Sequence, residues 1–185
     1  TSPESVMDMD IRRISEKGFL EYFNEMEDSN LSETFWEIGL VQALETSAIN
    51  SPFFNVFLAA QVHGSDNSLL MNGTKVRDLI TTMGDIHHIF PKGYLQKNGI
   101  TDKSKYNQIA NYTYLDTQTN ISIGEKAPNE YFNTCFEQCN SKELKYGNIS
   151  NPELLKENLR ISCIPENIVS MDASQYEEFL LERRK

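Results

Sequence analysis

Apolar residues in the first eighty positions recur at helical spacing. Ile11, Ile14, Phe19, Phe23 and Met26 form one stripe, and Asp28-Ser29-Asn30 breaks it. Ser32 then suits the cap of a helix reaching about Thr46, with Trp36, Leu40, Ala43 and Leu44 on its apolar side. Phe35 and Ile38 widen that stripe, Gly39 weakens it, and Glu33 and Glu37 suit its first turns. Ser51-Pro52 has the form of a helix start. The crowding of Phe53, Phe54, Val56, Phe57 and Leu58 behind it predicts a buried helix. A shorter helix is expected from Thr74 through Val76, Leu79 and Ile80.

From Gly84 the pattern changes. Asp85 to Phe90 reads as a strand closed by Pro91, and Asn111 to Leu115 as a second strand rich in Tyr and Thr. Asp116 or Thr117 can cap a short helix containing Asn120. Helical spacing returns after Pro128 (Tyr131, Phe132, Cys135, Phe136, Cys139) and again over 151–160 and 173–184. The reading is mainly α with a small α+β core: a helical collar over 1–83, a strand–loop–strand–helix core over 84–130 and a helical part over 131–185, all in one domain of 185 residues. A chain of this size buries enough surface to fold without disulfides or structural metal.

Composition narrows the function. No run of apolar residues is long enough for a membrane span. Three Cys cannot all pair internally, and no signal peptide precedes them, so a reducing, cytoplasmic setting is expected. A first residue of Thr rather than Met points to a fragment of a longer protein. The net charge of −10 argues against a generic nucleic-acid binder, but it is uneven. Residues 1–70 hold 3 Lys/Arg against 12 Asp/Glu, whereas residues 71–126 hold 7 against 5. Only the middle third is mildly basic, and the candidate chemistry lies there.

That chemistry begins with His87 and His88 in Gly84-Asp-Ile-His-His-Ile-Phe-Pro91. Histidine is the usual base near neutral pH and a common metal ligand. Adjacent residues of a strand point to opposite faces. Both rings reach one site only if the strand ends or twists there, and Pro91 offers an end. Asp85 and His87 share a face by alternation. Asn111 and Asn120 stand at the start of the second strand and in the following helix. Cys135, Cys139 and Cys163 form no CxxC pair and read as buried small hydrophobes.

A His pair, an Asn before a strand and an Asn in the next helix together resemble the HNH, or ββα-metal, nucleases. The stretch Gly84–Leu95, the run Asn107-Gln-Ile-Ala-Asn111 and Asn120-Ile-Ser-Ile-Gly-Glu-Lys-Ala-Pro-Asn-Glu-Tyr131 resemble the C-terminal domain of GmrSD-like modification-dependent restriction endonucleases. Ser51-Pro-Phe-Phe54 and the ending Tyr176-Glu-Glu-Phe-Leu180 through Arg183 extend the resemblance over most of the chain. It implies a ββα-metal motif in a helical domain, with His88 as general base and Asn111 bracing the loop. His87 and Asn120 would ligate a divalent ion, Mg²⁺ first, with Mn²⁺, Zn²⁺ or Ni²⁺ as other occupants. Asp85 would orient His87 or ligate directly; both readings stay open. Lys126 would reach a phosphate, or else be a solvated helix-end lysine. Lys92, Lys97, Lys103 and Lys105 would form a weak DNA track, or else be ordinary lysines of a surface loop; of Tyr94, Tyr106, Tyr112 and Tyr114, at least half are expected in the core and the others could stack on bases.

The implied activity is metal-dependent hydrolysis of DNA phosphodiester bonds in a restriction or phage-defence system. The implied partners are foreign or modified DNA and an N-terminal NTP-hydrolysing domain of the same protein. No phosphate-cradling glycine loop is present in this sequence. The alternatives are a catalytically silent module of the same shape, and an RNase or toxin nuclease.

Overall fold

The computed structural model describes residues 2–82 and 84–185. It is mainly helical with one two-stranded antiparallel sheet, as the patterning predicts. The chain divides into two compact units, one ending at Gln42 and one running from Ala43 to Lys185, so the collar expected over 1–83 is divided between them.

The first unit is built on α1 (Pro3–Lys17) and α2 (Phe19–Asn30). Ser2 caps α1 by accepting from the Ser5 amide, Glu4 occupies its first turn and Lys17 its last, all favourable to the helix dipole. Gly18 joins the helices at φ 91°, a left-handed conformation that suits glycine. Tyr22 donates to Asp10 Oδ1 at 2.6 Å, and Lys17 reaches Glu25 at 2.6 Å. Tyr22 is the one buried residue of the pair; Ile11, Phe19 and Phe23 of the expected stripe are exposed. The helix expected over 32–46 begins as a π-helical stretch, Phe35–Gly39, and continues as α3 (Leu40–Ala43).

In the second unit α4 (Pro52–His63) forms where Ser51-Pro52 predicts, but it is not buried throughout. Phe54 and Gln61 are buried while Val56 is 66% exposed, because only one side of the helix meets a partner. Next come α5 (Val76–Thr81) and β1 (Asp85–His88), which stops two residues short of the expected Phe90. The stretch expected to be a loop carries α6 (Lys92–Lys97) and α7 (Lys103–Tyr106). A 3-10 turn, Ile109–Asn111, leads into β2 (Tyr112–Leu115), and α8 (Thr117–Ile123) follows, capped by Asp116 through the Thr119 amide. Then come α9 (Pro128–Ser141), α10 (Pro152–Ile161), 3-10 turns over Glu166–Ser170 and Ala173–Gln175, and α11 (Tyr176–Arg184).

The sheet pairs Asp85 with Leu115, Ile86 with Tyr114, His87 with Thr113 and His88 with Tyr112. A lone hairpin is marginal in water and needs a packed layer. The main core supplies it with Phe90, Leu95, Leu115, Tyr131, Phe132, Ile168, Tyr176 and Phe179, all fully or almost fully buried. A smaller cluster of Phe54, Ile109 and Tyr112, with Ile86 against it, covers part of the sheet. Among the described residues no helix is long and apolar enough to cross a membrane.

Candidate metal and catalytic site

Directly opposed residues of an antiparallel pair share a face. Asp85, His87, Thr113 and Leu115 therefore lie on one face, and Ile86, His88, Tyr112 and Tyr114 on the other. The contacts agree. His87 meets α8 and the ring of Tyr131, with ring centroids 6.1 Å apart. His88 stands edge-on to Tyr112 with centroids 4.9 Å apart.

On the first face three side chains form a chain of hydrogen bonds. Asn120 Nδ2 donates to Asp85 Oδ2 at 3.1 Å, and Asn120 Oδ1 lies 2.8 Å from His87 Nδ1. The carboxylate accepts only, so it turns the amide of Asn120 with nitrogen toward Asp85 and oxygen toward His87. That oxygen in turn requires the His87 proton on Nδ1. His87 Nε2 is left with a bare lone pair, buried and without a partner. Burial holds the ring neutral, pushing its pKa down to about 4 against the opposing pull of the Asn120 bond.

These donors fit a divalent ion. His87 Nδ1 and Asn120 Oδ1, 2.8 Å apart in their hydrogen bond, are the atoms that would hold it. His87 Nδ1 would hold an ion only with the imidazole proton on Nε2, which has no acceptor here. Asp85 supplies the negative charge beside the pair. Among the described residues no group of three or more His, Cys, Asp or Glu is placed to hold a metal ion.

His88 has separate partners. Its Nε2 lies 3.0 Å from Asn107 Oδ1, so Nε2 donates and Nδ1 keeps its lone pair. Burial lowers its pKa, the Asn107 bond opposes that, and the charge of Lys92 adds to it, so the ring is neutral and able to accept a proton. Asn120 joins His87, and His88 is the last residue of β1, on the opposite face.

Asn111 is the last residue of the 3-10 turn that leads into β2. It is fully buried; its Oδ1 accepts from the Phe90 amide at 2.8 Å, and its Nδ2 donates to Phe90 and Tyr106 carbonyls at 3.1 and 3.3 Å. These bonds hold the bend at Ile89-Phe90 and explain why β1 ends at His88. Lys126 donates to the carbonyls of Ser122 and Ile123 at the end of α8, at 3.0 and 3.3 Å, as a helix-end lysine does. Lys92, Lys97, Lys103 and Lys105 are exposed, while Tyr106 and Tyr112 are core. Cys135 and Cys139 are buried as expected; Cys163 is exposed, against expectation, because it sits at φ 53° in the turn after α10.

Three contributors escaped the sequence reading. Asn107 lies within the quoted run, yet nothing marks it as the partner of His88. Tyr131 donates to the Ile89 carbonyl at 2.7 Å. Arg183 donates to the carbonyls of Ala110 and Tyr112 at 2.6 and 2.7 Å, on either side of Asn111. No family model, curated protein or solved structure matches the chain.

Proposed function

We propose that this chain is a metal-dependent endonuclease domain of the ββα-metal, HNH type, hydrolysing DNA phosphodiester bonds. The observation that carries the reading is the Asp85–Asn120–His87 chain, in which two expected ligands from different elements meet at 2.8 Å. A bound divalent ion supplies Lewis-acid stabilisation of phosphate and leaving oxygen. His87 and Asn120 hold it, and Asp85 orients Asn120 and adds charge. His88, neutral and with Nδ1 unprotonated, takes the proton of the attacking water. Asn111 fixes the bend that follows His88. Exposed Lys92, Lys103 and Lys105 contact the phosphate backbone, which positions DNA without reading its sequence. The domain works in a reducing, cytoplasmic restriction or defence system, joined to an NTP-hydrolysing domain that acts on foreign or modified DNA.

A plasmid-nicking assay with Mg²⁺ or Mn²⁺ tests the reading. Wild type should nick, and His88→Ala should lower the rate by about 10²–10⁴ while metal binding survives. His87→Ala and Asn120→Ala should weaken Mn²⁺ binding by calorimetry. Wild-type protein that cuts neither DNA nor RNA, or a His88→Ala variant cutting at full rate, would sink the assignment. A docking module of the same shape is the second reading. It is favoured by one observation: His88 shares no hydrogen bond with the Asp85–Asn120–His87 chain. DNA bound by the protein but left uncut when Mg²⁺ or Mn²⁺ is added would select it.

A further inference from the structure

A cleft of about 700 Å³ opens between α9, α10, the turn at 163–166 and α11. Small-molecule sites occupy roughly 300–1,000 Å³. None of Asp85, His87, His88 or Asn120 lines it, so it is separate from the site above. Its floor is apolar, with Phe136, Leu159, Ile164 and Val169. Its rim is cationic in a chain of net charge −10: Lys156, Arg160, Arg183 and Lys185 line it against Glu166 and Glu182.

Two features of those cations point to a missing anion. All the acceptors of Arg183 are neutral backbone carbonyls, those of Ala110, Tyr112 and Ser162, and its Nε is buried without a partner. The guanidinium also lies over the Phe57 ring, 5.8 Å from its centroid, so carbonyl dipoles and a π face hold its charge and none of its partners is an anion. Lys156 and Arg160 bind Glu153 and Glu157 of their own helix, but these pairs are solvent-exposed. Exposed pairs of this kind contribute little and exchange readily for a better acceptor.

We propose that this cleft binds an amphipathic acid: an apolar chain or ring on the Phe136–Val169 floor, with a carboxylate or phosphate held by Lys156 and Arg160 beside the charge of Arg183. Cys163 gives a direct readout. It lines the cleft and is exposed, whereas the other two cysteines are buried. An occupied cleft shields its thiol.

The test follows alkylation of Cys163 by iodoacetamide, read by mass spectrometry on the full chain, with decanoate, decyl phosphate or decanol below their micellar concentrations. Decanoate or decyl phosphate should slow the reaction saturably, and the tighter of the two identifies the head group. Decanol should bind at least about tenfold more weakly, the scale of one charge-assisted hydrogen bond. The double variant Lys156→Glu/Arg160→Glu should lose about tenfold in acid affinity, and Val169→Trp should abolish protection with its circular dichroism unchanged. No slowing by either acid, or decanol protecting as well as the acids, overturns the proposal. The decanol comparison needs only wild-type protein and decides the matter even if a variant fails to fold.

Discussion

Helices α1 and α2 have well-formed ends and bury one residue, Tyr22; the unit beginning at Ala43 buries a continuous cluster from Leu69 to Leu180. Both regions show apolar residues at helical spacing, so spacing alone does not separate them. What separates them is closure. In the second unit, segments distant in sequence meet on one core: Tyr131 donates to Ile89, Arg183 to Ala110, Asn158 to Ser68. In the hairpin, the contacts that tie the helices are one tyrosine bond and an exposed ion pair. Capping and dipole terms form a helix, but a core requires a second apolar surface to meet it. The candidate site lies wholly in the closed region.

The contrast is sharpest for core truncation. Phe132 is fully buried, so Phe132→Ala should destabilise the second unit by about 3–5 kcal/mol in chemical denaturation. Leu20, 71% exposed, should tolerate Ala within about 0.5 kcal/mol. Equal losses at the two positions would erase the distinction between the regions.

Between pH 6.5 and 4, acid should act chiefly on the second unit. The folded pKa of His87 is about 4, below the unfolded value near 6.5, so the unfolded chain binds the proton more readily. Stability is complete above pH 6.5 and falls as pH drops toward 4, by about 3 kcal/mol if no other group intervenes. In metal-free protein, His87→Gln should flatten that slope. An unchanged slope would mean that His87 is not buried neutral.

Asn111→Ala strands the Phe90 amide and should cost about 2 kcal/mol, with faster hydrogen exchange at Ile89 and Phe90. Unaltered exchange there would remove Asn111 as the brace. The smallest effect belongs to the hairpin. Tyr22→Phe loses the bond to Asp10 and should cost about 1 kcal/mol, read as faster amide exchange in α1 and α2 alone.

Much of the second unit was legible because its signals are local. Ser51-Pro52, Asp116 and Pro128 stand where helices begin, and the residues on the two strands pair as alternation requires. Alternation put Asp85 and His87 on one face, but the meeting of His87 with Asn120 was implied by the resemblance alone, since no local signal brings β1 to α8. The partner of His88 was not legible, because Asn107 follows α7, a one-turn helix with no apolar period to reveal it. Burial was the least legible property. The crowded aromatics of α4 imply a buried helix, and Val56 shows that an apolar residue needs an opposing surface as well as a helical position.

The hydrogen bonds of Arg183 also carry a consequence in time. Ala110 and Arg183 are 73 residues apart, and the guanidinium closes around the two carbonyls that flank Asn111. During synthesis at roughly 5–20 residues per second, that interval lasts about 4–15 s. Both strands and α8 leave the ribosome well before α11 does. Through that delay β2 waits without its clamp, and the nascent chain carries both histidines on a sheet that α11 has yet to lock.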